Sequence, residues 1–457
     1  RKIRPAEGGT FGRSPDFDAL LAGGGDGAVD AARAAYGDAL DALATAGVDL
    51  DTVLAVAVFT TQDAIGETLA IRDWLVREYP APEVRTATVG VDRSAPRFVE
   101  ISGAYGPSPI FQAGDLPYLQ PADGGAIELD ADGQPVVHGA FDARFSLMIP
   151  KRAMPEAGYP VVLYAHGTGG DYRSYRSVGE ELAELGYATM GVDQIHHGAR
   201  NPTSTDPSLL FFNVPNPAAA RDNNRQSALD VVQQARLVEN LELPVEVVDR
   251  DEAPVRFDPE RIYFMGHSQG GLNGPLYLAV DDSARAAVLS AASAVITPAL
   301  IEKQEPLSIP SVVQTLLGLP GAGWEAALEA EGFTVEHPIA TLLQTWLEAG
   351  DGSNYAPLIF ERPRDGFAPT SVLMTEGLLD LYSPPASIEA LAGAMGVPQV
   401  EPVGQRVEAL ALRGVAAEAP PVSANVADGA ATAGLLQFSS DGHFVVFRDA
   451  TARSQVF

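Results

Sequence analysis

The sequence predicts an α/β protein with a mostly parallel sheet, preceded by a smaller mixed domain. From Phe141 onward, apolar strand-like runs alternate with amphipathic helical patterns. Before residue 135 this alternation is missing, and a stretch rich in Gly, Pro and Asp separates the two parts. At 457 residues the chain is also longer than one usual domain. We therefore predict an N-terminal α+β accessory domain, 1–135, and an α/β domain, 136–457.

The N-terminal part is predicted to contain two helices and several short strands. An Ala-rich helix over 28–46 ends at Gly47, and the apolar run "TVLAVAVFTT" that follows predicts a buried strand. A second amphipathic helix covers 64–80. Short strands are expected around 85–91 and 97–105, and the remaining residues to 135 are typical of loops and a turn.

The α/β part is predicted strand by strand from its apolar runs and helical periodicities. Strands are expected at 141–150, 160–167, 187–193, 286–293 and 370–377, with a further strand in "RIYFMGH", and helices at 175–186, at 222–241 and directly after Ser268. An insertion over about 295–367 carries helical segments with apolar faces, and it occupies the place of a lid.

Composition excludes several classes of function. The formal net charge of −30 opposes binding to nucleic acid and to anionic membranes. No run reaches the roughly 18 apolar residues of a membrane span. Cysteine is absent, which excludes thiol nucleophiles and disulfides, and lysine occurs only at 2, 151 and 303. The chain starts without Met, so we expect a trimmed leader and a secreted or cell-envelope protein. The oligomeric state is left open.

The segment "FMGHSQGG" predicts a nucleophilic serine. Ser268 stands between two glycines, after an apolar run and before a helical pattern, which is the strand, turn and helix arrangement of a nucleophile elbow. Glycines are needed there because the positions flanking the serine face neighbouring backbone, with no room for a Cβ atom.

A serine hydroxyl needs a base held by an acid, and in this arrangement the chain order is serine, acid, histidine. The acid is expected after the strand that follows the insertion, where Glu376 and Asp380 stand. We choose Asp380, since Glu376 is still close to the strand. His443 in "SSDGHFVVF" is the only histidine beyond Asp380, on a loop beside a strand-like run, and is the predicted base. His337 lies inside the insertion.

Two backbone N–H groups are predicted to bind the oxyanion that forms in such a reaction. One belongs to Gln269, directly after the serine, and the other to Thr168 in the glycine-rich "HGTGG". We expect His166 to be structural, and "IHHG" at 195–198 to be a loop at the cleft and not a metal site.

Three residues are candidate substrate contacts. His267 is expected to pack in the turn and to border the substrate. Trp324 and Trp346 either contact an acyl chain or pack in the core of the insertion. "DADG" at 130–133 resembles the start of a calcium loop, but Phe141 stands where the last ligand is required. No metal and no organic cofactor are predicted.

The segment from "YPVVLYAHGTGG" to "YATMGVDQIHHG", followed by "GHSQGG", resembles the α/β-hydrolase superfamily. Within it, the chain looks like bacterial extracellular lipases and esterases similar to platelet-activating-factor acetylhydrolase and dienelactone hydrolase. The segment "AVAVFTTQD" is also similar to the N-terminal region of virulence-factor type lipases. The resemblance covers roughly 141–457 and implies an α/β-hydrolase fold with Ser268 as nucleophile, Asp380 as acid and His443 as base.

We therefore expect a serine esterase of the lipase or carboxylesterase type, acting on an ester with an acyl chain or another apolar group. A polyester hydrolase of the cutinase type with an open cleft is the alternative within the same class. The long insertion and the absence of Cys depart from that pattern. A catalytically silent hydrolase fold that serves as a binding protein is the alternative of another class.

Overall fold

A computed structural model describes residues 9, 11–23, 27–245 and 253–456 of the chain. Two compact units are present, Arg1–Asp63 and Ala64–Phe457. The division thus falls at residue 63, and not at the predicted boundary near 135. The reason is strand pairing: a strand at Phe98–Ile110 pairs along its length with a strand at Gly139–Pro150, which joins the two predicted domains in one sheet.

The described part of the first unit forms helices α1 (Pro15–Ala22) and α2 (Gly27–Thr45). The side chain of Ser14 caps α1 by accepting a hydrogen bond from the Phe17 N–H at 3.2 Å. Helix α2 confirms the helix predicted over 28–46.

The prediction of a strand at "TVLAVAVFTT" is wrong. After a short 3₁₀ turn at Leu50–Thr52, no regular structure is formed up to Asp63, and the Phe59 side chain is 78% exposed. An apolar run becomes a strand only where another strand pairs with it, and no pairing is formed by these residues in the described part of the chain.

The second unit is built on a ten-stranded sheet and a two-stranded sheet. In chain order the strands are β1 (Glu83–Val84), β2 (Gly90–Asp92), β3 (Phe98–Ile110), β4 (Gln112–Gly114), β5 (Gly124–Ile127), β6 (Gly139–Pro150), β7 (Tyr159–Ala165), β8 (Ala188–Val192), β9 (Phe257–His267), β10 (Ala284–Ser290), β11 (Ser371–Gly377) and β12 (Ala433–Phe438). The large sheet runs β1-β3-β6-β8-β7-β9-β10-β11-β12, with β2 on β3, while β4 and β5 form the small sheet. Strands from β8 to β12 along this order are parallel, and β1, β2, β3 and β6 pair antiparallel.

Helices cover both faces of the large sheet. In chain order they are α3 (Gly66–Glu78), α4 (Arg176–Leu185), α5 (Pro207–Phe212), α6 (Pro217–Asn240), α7 (Gln269–Val280), α8 (Ile296–Glu302), α9 (Ile309–Leu316), α10 (Trp324–Glu331), α11 (Pro338–Leu347), α12 (Gly352–Tyr355), α13 (Pro385–Met395), α14 (Glu408–Leu412), α15 (Val445–Arg448) and α16 (Ala450–Val456). Successive strand side chains point to opposite faces, so Leu163 belongs to the core cluster shared with α6 and α7, whereas Tyr164 belongs to the cluster shared with α4.

Helix α3 belongs to the second unit, although it precedes the sheet. Ile71 and Leu75 are fully buried in the main core. The buried guanidinium of Arg225 on α6 donates to the Thr68 hydroxyl and to the Glu67 carboxylate, each at 2.8 Å. Apolar packing and charge pairing thus both attach α3 to α6.

The predicted insertion forms helices α8 to α12 between β10 and β11. The apolar faces of α8 to α11 meet in a small core of their own, which contains Leu300, Val313, Leu328 and Phe333, whereas Tyr355 of α12 belongs to the main core. Among the described residues, none of the helices combines the length and apolar character required to cross a membrane.

Candidate active site

The turn between β9 and α7 exposes Ser268 in a strained backbone conformation. Ser268 has φ 56° and ψ −114°, a conformation that L residues rarely adopt. A Cβ on Gly266 would collide with the carbonyl oxygen of Gly270, and a Cβ on Gly270 would collide with that of Ala165. Both glycines are therefore required for the turn to pack against β7. The predicted strand, turn and helix are all present here.

His443 and Asp380 lie in direct contact, although 63 residues separate them. His443 Nδ1 is 2.8 Å from Asp380 Oδ2, and both side chains are buried. The other oxygen, Asp380 Oδ1, accepts hydrogen bonds from the N–H groups of Tyr382 at 2.7 Å and Ser383 at 2.8 Å. These donors fix the carboxylate, which in turn fixes the orientation of the imidazole.

Close backbone packing brings the Asp380 and His443 loops together. A Cβ on Gly377 would collide with the backbone of Gly442, and a Cβ on Gly442 would collide with the carbonyl of Leu379. The loop that carries His443 follows β12, but the apolar run after His443 is not a strand: it forms helix α15. Period-two burial cannot be recognised in so short an apolar run, so the sequence did not distinguish the two.

Glu376, the other candidate acid, makes no hydrogen bond with His443 among the described residues and has a different environment. Its Oε2 accepts a hydrogen bond from Gln437 Nε2 at 2.9 Å, and its Oε1 has no hydrogen-bond partner among the described residues. Burial raises the pKa of the Glu376 carboxyl to about 7. A carboxyl that burial favours in the neutral form is a poor electrostatic partner for an imidazolium.

Two rings hold the His443 imidazole in place. Tyr382 stacks on it, with ring centroids 4.6 Å apart and planes at 13°. His267 contacts it with a centroid distance of 4.8 Å. Burial, reinforced by His443, lowers the pKa of His267 well below its usual value, so His267 is neutral. His267 therefore packs in the turn, as predicted, and its Nδ1 lies 3.1 Å from Ser290 Oγ.

The two predicted oxyanion residues are adjacent. The Thr168 hydroxyl donates to Gln269 Oε1 at 3.0 Å. Gln269 is the first residue of α7, where backbone N–H groups have no partner within the helix. Beside Thr168, the Gly169 N–H donates to His197 Nε2 at 2.9 Å and the Gly170 N–H to the Gly167 carbonyl at 3.0 Å. Those two bonds hold the loop in shape next to Thr168.

The histidines behind this loop are structural. His166 Nε2 accepts a hydrogen bond from the Gln194 N–H at 3.1 Å, and burial lowers the pKa of His166 to about 3. His197 Nδ1 lies 2.8 Å from the Ile195 carbonyl, and His196 Nε2 lies 3.0 Å from Asn223 Oδ1. Within the described residues, no group of His, Asp or Glu side chains is arranged to hold a metal ion.

Ser268 borders two cavities. The first, which we call the His443 cavity, measures about 390 Å³ and is lined by Thr168, Ser268, Lys303, Tyr382 and His443, among others. The second, which we call the insertion cavity, measures about 110 Å³ and is lined by Ser268, Leu272, Ala299, Lys303, Leu347 and Tyr382, among others. Residues of the insertion thus form part of both walls.

The two tryptophans of the insertion have different surroundings. Trp324 packs against the core of the insertion, and Trp346 is 60% exposed. Neither is among the residues that line the two cavities, whereas the neighbouring Leu347 lines the insertion cavity. A one-residue step along a helix rotates a side chain by about 100°, which the sequence alone did not resolve.

Sequence reasoning missed two residues that line both cavities, Tyr382 and Lys303. Tyr382 follows the predicted acid by two positions. Lys303 is one of three lysines in the chain, and this rarity was the one available signal.

The chain is similar to one family model and to several solved structures. Residues 159–327 match the family model described as "Serine aminopeptidase, S33". No curated protein matches the chain significantly. An acetyl xylan esterase from Paenibacillus sp. R4 is similar at 15% identity and a TM-score of 0.45, over 88% of this chain and 94% of that one. Acetyl xylan esterase 1 from Thermoanaerobacterium sp. JW/SL YS485 is similar at 15% identity and a TM-score of 0.43, over 87% and 94%. The strand order, the turn at Ser268 and the family match over 159–327 identify the fold as that of the α/β-hydrolases.

Proposed function

We propose that the protein is a serine hydrolase that cleaves carboxylic esters through an acyl-enzyme on Ser268. The observation that carries this proposal is the meeting of Ser268 and the His443–Asp380 pair at one cavity. The three residues come from the ends of three different elements, in the chain order typical of this fold.

In the proposed reaction, Ser268 Oγ attacks the ester carbonyl while His443 accepts the hydroxyl proton through Nε2. The tetrahedral intermediate then expels the alcohol, which leaves with the proton from His443. Water attacks the acyl-enzyme with the same histidine as base, and the carboxylic acid is released from Ser268. Asp380 orients the imidazole and stabilises its positive charge, and it keeps no proton itself.

The backbone N–H groups of Gln269 and Thr168 are the proposed donors to the oxyanion. Such donors act on charge that develops only in the transition state, and the loss of one typically costs on the order of 100-fold to 1000-fold in rate. The hydrogen bond between the Thr168 and Gln269 side chains supports this role, because it couples the two donor positions.

The cavities favour a soluble ester over a polymer surface. Ala299, Lys303 and Leu347 from the insertion line the cavity beside Ser268, which supports a site walled by the insertion over an open groove. The mostly apolar wall supports an acyl chain or a similar apolar group as one part of the substrate. We therefore favour the lipase or carboxylesterase type over a polyester hydrolase.

The test is substrate turnover by wild type and Ser268→Ala. We expect the substitution to lower kcat/KM for p-nitrophenyl esters by about four orders of magnitude or more. A fluorophosphonate probe should label Ser268 in wild type. Ser204→Ala, on an exposed loop, serves as the matched control and should behave as wild type.

Two outcomes would contradict the proposal. Absence of both probe adduct and turnover in the folded protein would favour a silent scaffold. Faster cleavage of amino-acid p-nitroanilides than of any ester would instead favour an amide substrate. The family model that matches 159–327 is described as an aminopeptidase, which is why amides are included.

A further inference from the structure

Lys303 is a buried cation at the junction of the two cavities. It follows helix α8 in the insertion, is 7% exposed and lines both cavities beside Ser268. Its ammonium lies 5.2 Å from the ring centroid of Phe212 and 5.8 Å from that of Tyr382. A charge in so apolar a place is costly unless a partner of opposite charge is supplied.

The described residues supply only part of the hydrogen bonding and opposite charge that the Lys303 ammonium requires. The Lys303 ammonium donates to the carbonyl oxygen of Tyr382, and an ammonium carries three N–H donors. Asp380 attracts Lys303 electrostatically, but its two oxygens already accept from two backbone N–H groups and contact His443. Lys303 therefore retains donor capacity toward the cavities.

Other charged groups at the insertion cavity are satisfied elsewhere. The guanidinium of Arg221 is paired with Asp222, with Nη2 and Oδ2 2.6 Å apart. The carboxylate of Asp351 accepts hydrogen bonds from the Val295 N–H at 2.8 Å and the Ser353 N–H at 2.9 Å. Among the described residues that line this cavity, Lys303 is thus the cation that no carboxylate pairs with directly, and a negatively charged ligand would meet it.

We propose that Lys303 binds a carboxylate carried by the ester substrate, close to the ester bond attacked by Ser268. An ammonium and a carboxylate form a charge-assisted hydrogen bond, roughly twice as strong as a neutral one. Apolar side chains such as Leu272 and Ala299 would hold the intervening carbon atoms. The inference rests on the proposed function and narrows its substrate class to esters that bear a carboxylate.

The charge of the whole protein makes this local cation decisive. With a net charge of −30, the protein repels anions at long range. Selection of an anionic ester therefore requires a positive group inside the site itself. Burial lowers the pKa of Lys303 to about 8, against which Asp380 and Glu305 act by raising it, so the cation persists at neutral pH.

The experiment compares two matched pairs of esters, because the carboxylate can belong to the acyl part or to the leaving alcohol. The acyl pair is p-nitrophenyl hydrogen adipate and p-nitrophenyl methyl adipate. The leaving-group pair is p-acetoxybenzoate and its methyl ester. The kcat/KM values are measured at about pH 7 and constant ionic strength, where Lys303 is charged. The enzymes are wild type, Lys303→Met, Lys303→Arg and the control Lys151→Met, which removes an exposed lysine.

We expect wild type and Lys151→Met to prefer the charged member of one pair by about tenfold or more. Lys303→Met should lose that preference, so that the ratio of its kcat/KM for the charged ester to that for the neutral ester falls to about one, whatever its absolute rates. The preference should also fall in wild type as pH rises through about 8, where Lys303 loses its proton, and should persist in Lys303→Arg.

Three outcomes would overturn the inference. If wild type cleaves neutral esters and shows no preference for either charged ester, the carboxylate subsite is absent although the proposed function stands. If Lys303→Met slows charged and neutral esters equally, Lys303 only anchors the insertion to Tyr382. If none of the four esters is cleaved, both the proposed function and the subsite fail.

Discussion

Glu376 and Asp380 lie four residues apart, at the end of β11 and just after it, and their carboxyl groups have very different hydrogen-bond partners. Asp380 accepts two backbone hydrogen bonds and contacts His443, so both of its carboxylate oxygens have partners. Glu376 is fully buried and receives one hydrogen bond, from Gln437. Residue type does not distinguish them, since the difference comes from the number of donors that the fold brings to each.

This contrast predicts how stability depends on pH. The pKa of Glu376 is raised by burial from 4.5 to about 7, so the folded protein holds a proton that the unfolded chain has already released. The free energy of unfolding therefore falls as pH rises through this window, by on the order of 3 kcal/mol from this group. We expect Glu376→Gln to be more stable than wild type at about pH 8 by roughly 1–3 kcal/mol, with the difference shrinking toward about pH 5.

Urea denaturation at the two pH values measures this difference. Glu329→Gln, at an exposed position on α10, is the matched control and should leave the unfolding free energy unchanged at both. A pH-independent difference between Glu376→Gln and wild type would mean that the carboxyl is not held neutral by the fold.

At the scale of the elements, the β9–α7 turn depends on glycines that local propensity does not favour. Gly270 lies in the first turn of α7, where alanine is intrinsically better by about 1 kcal/mol. A Cβ at this position would collide with the backbone of Ala165 on β7, and backbone cannot move as a side chain can. The free-energy cost of this collision should therefore exceed what alanine gains in helix propensity.

We expect Gly270→Ala to lower the free energy of unfolding by about 2–4 kcal/mol and to reduce turnover, because the turn carries Ser268. Gly139→Ala is the matched control: it lies in β6 of the same sheet, and its Cβ would meet only Ile110 Cδ1 at 3.6 Å. Chemical denaturation of both variants gives the comparison. Equal stabilities would show that β7 and α7 are not in the close contact described.

The elements also show where sequence patterns are ambiguous. The apolar run at 52–61 has the composition of a strand but forms none, and the run after His443 becomes helix α15. In contrast, the runs that became β7, β8, β10 and β11 lie beside other strands of the large sheet. Hydrophobicity identifies a segment that can be buried, whereas a strand also needs a partner for its backbone hydrogen bonds.

At the scale of the whole molecule, the strand pairing decides where the chain divides. β3 pairs with β6 from Phe98 opposite Pro150 to Ile110 opposite Gly139, across the boundary predicted near 135. Helix α3 adds two fully buried side chains, Ile71 and Leu75, to the main core. Residues 64–135 are therefore part of the second unit and not of an accessory domain.

Two truncations test this division. A chain of residues 64–457 keeps the whole large sheet, so we expect cooperative thermal unfolding and a kcat/KM within about threefold of the full chain. A chain of residues 136–457 also loses α3 and all five strands from β1 to β5, and leaves Arg225 buried without Thr68 and Glu67. We expect it to be insoluble or to unfold without cooperativity. Stable folding of the shorter chain would contradict the observed division.

The sequence by itself determined the class of fold and predicted the candidate catalytic residues. The glycines around Ser268, the single histidine beyond Asp380 and the alternation of strands and helices are local or ordinal features, which can be read along the chain. Only the tertiary structure decided which carboxyl meets His443, that Lys303 borders Ser268 while Trp346 faces solvent, and that β3 joins β6. These depend on contacts between residues far apart in the chain, and such contacts are set by strand pairing and packing in three dimensions, not by local pattern.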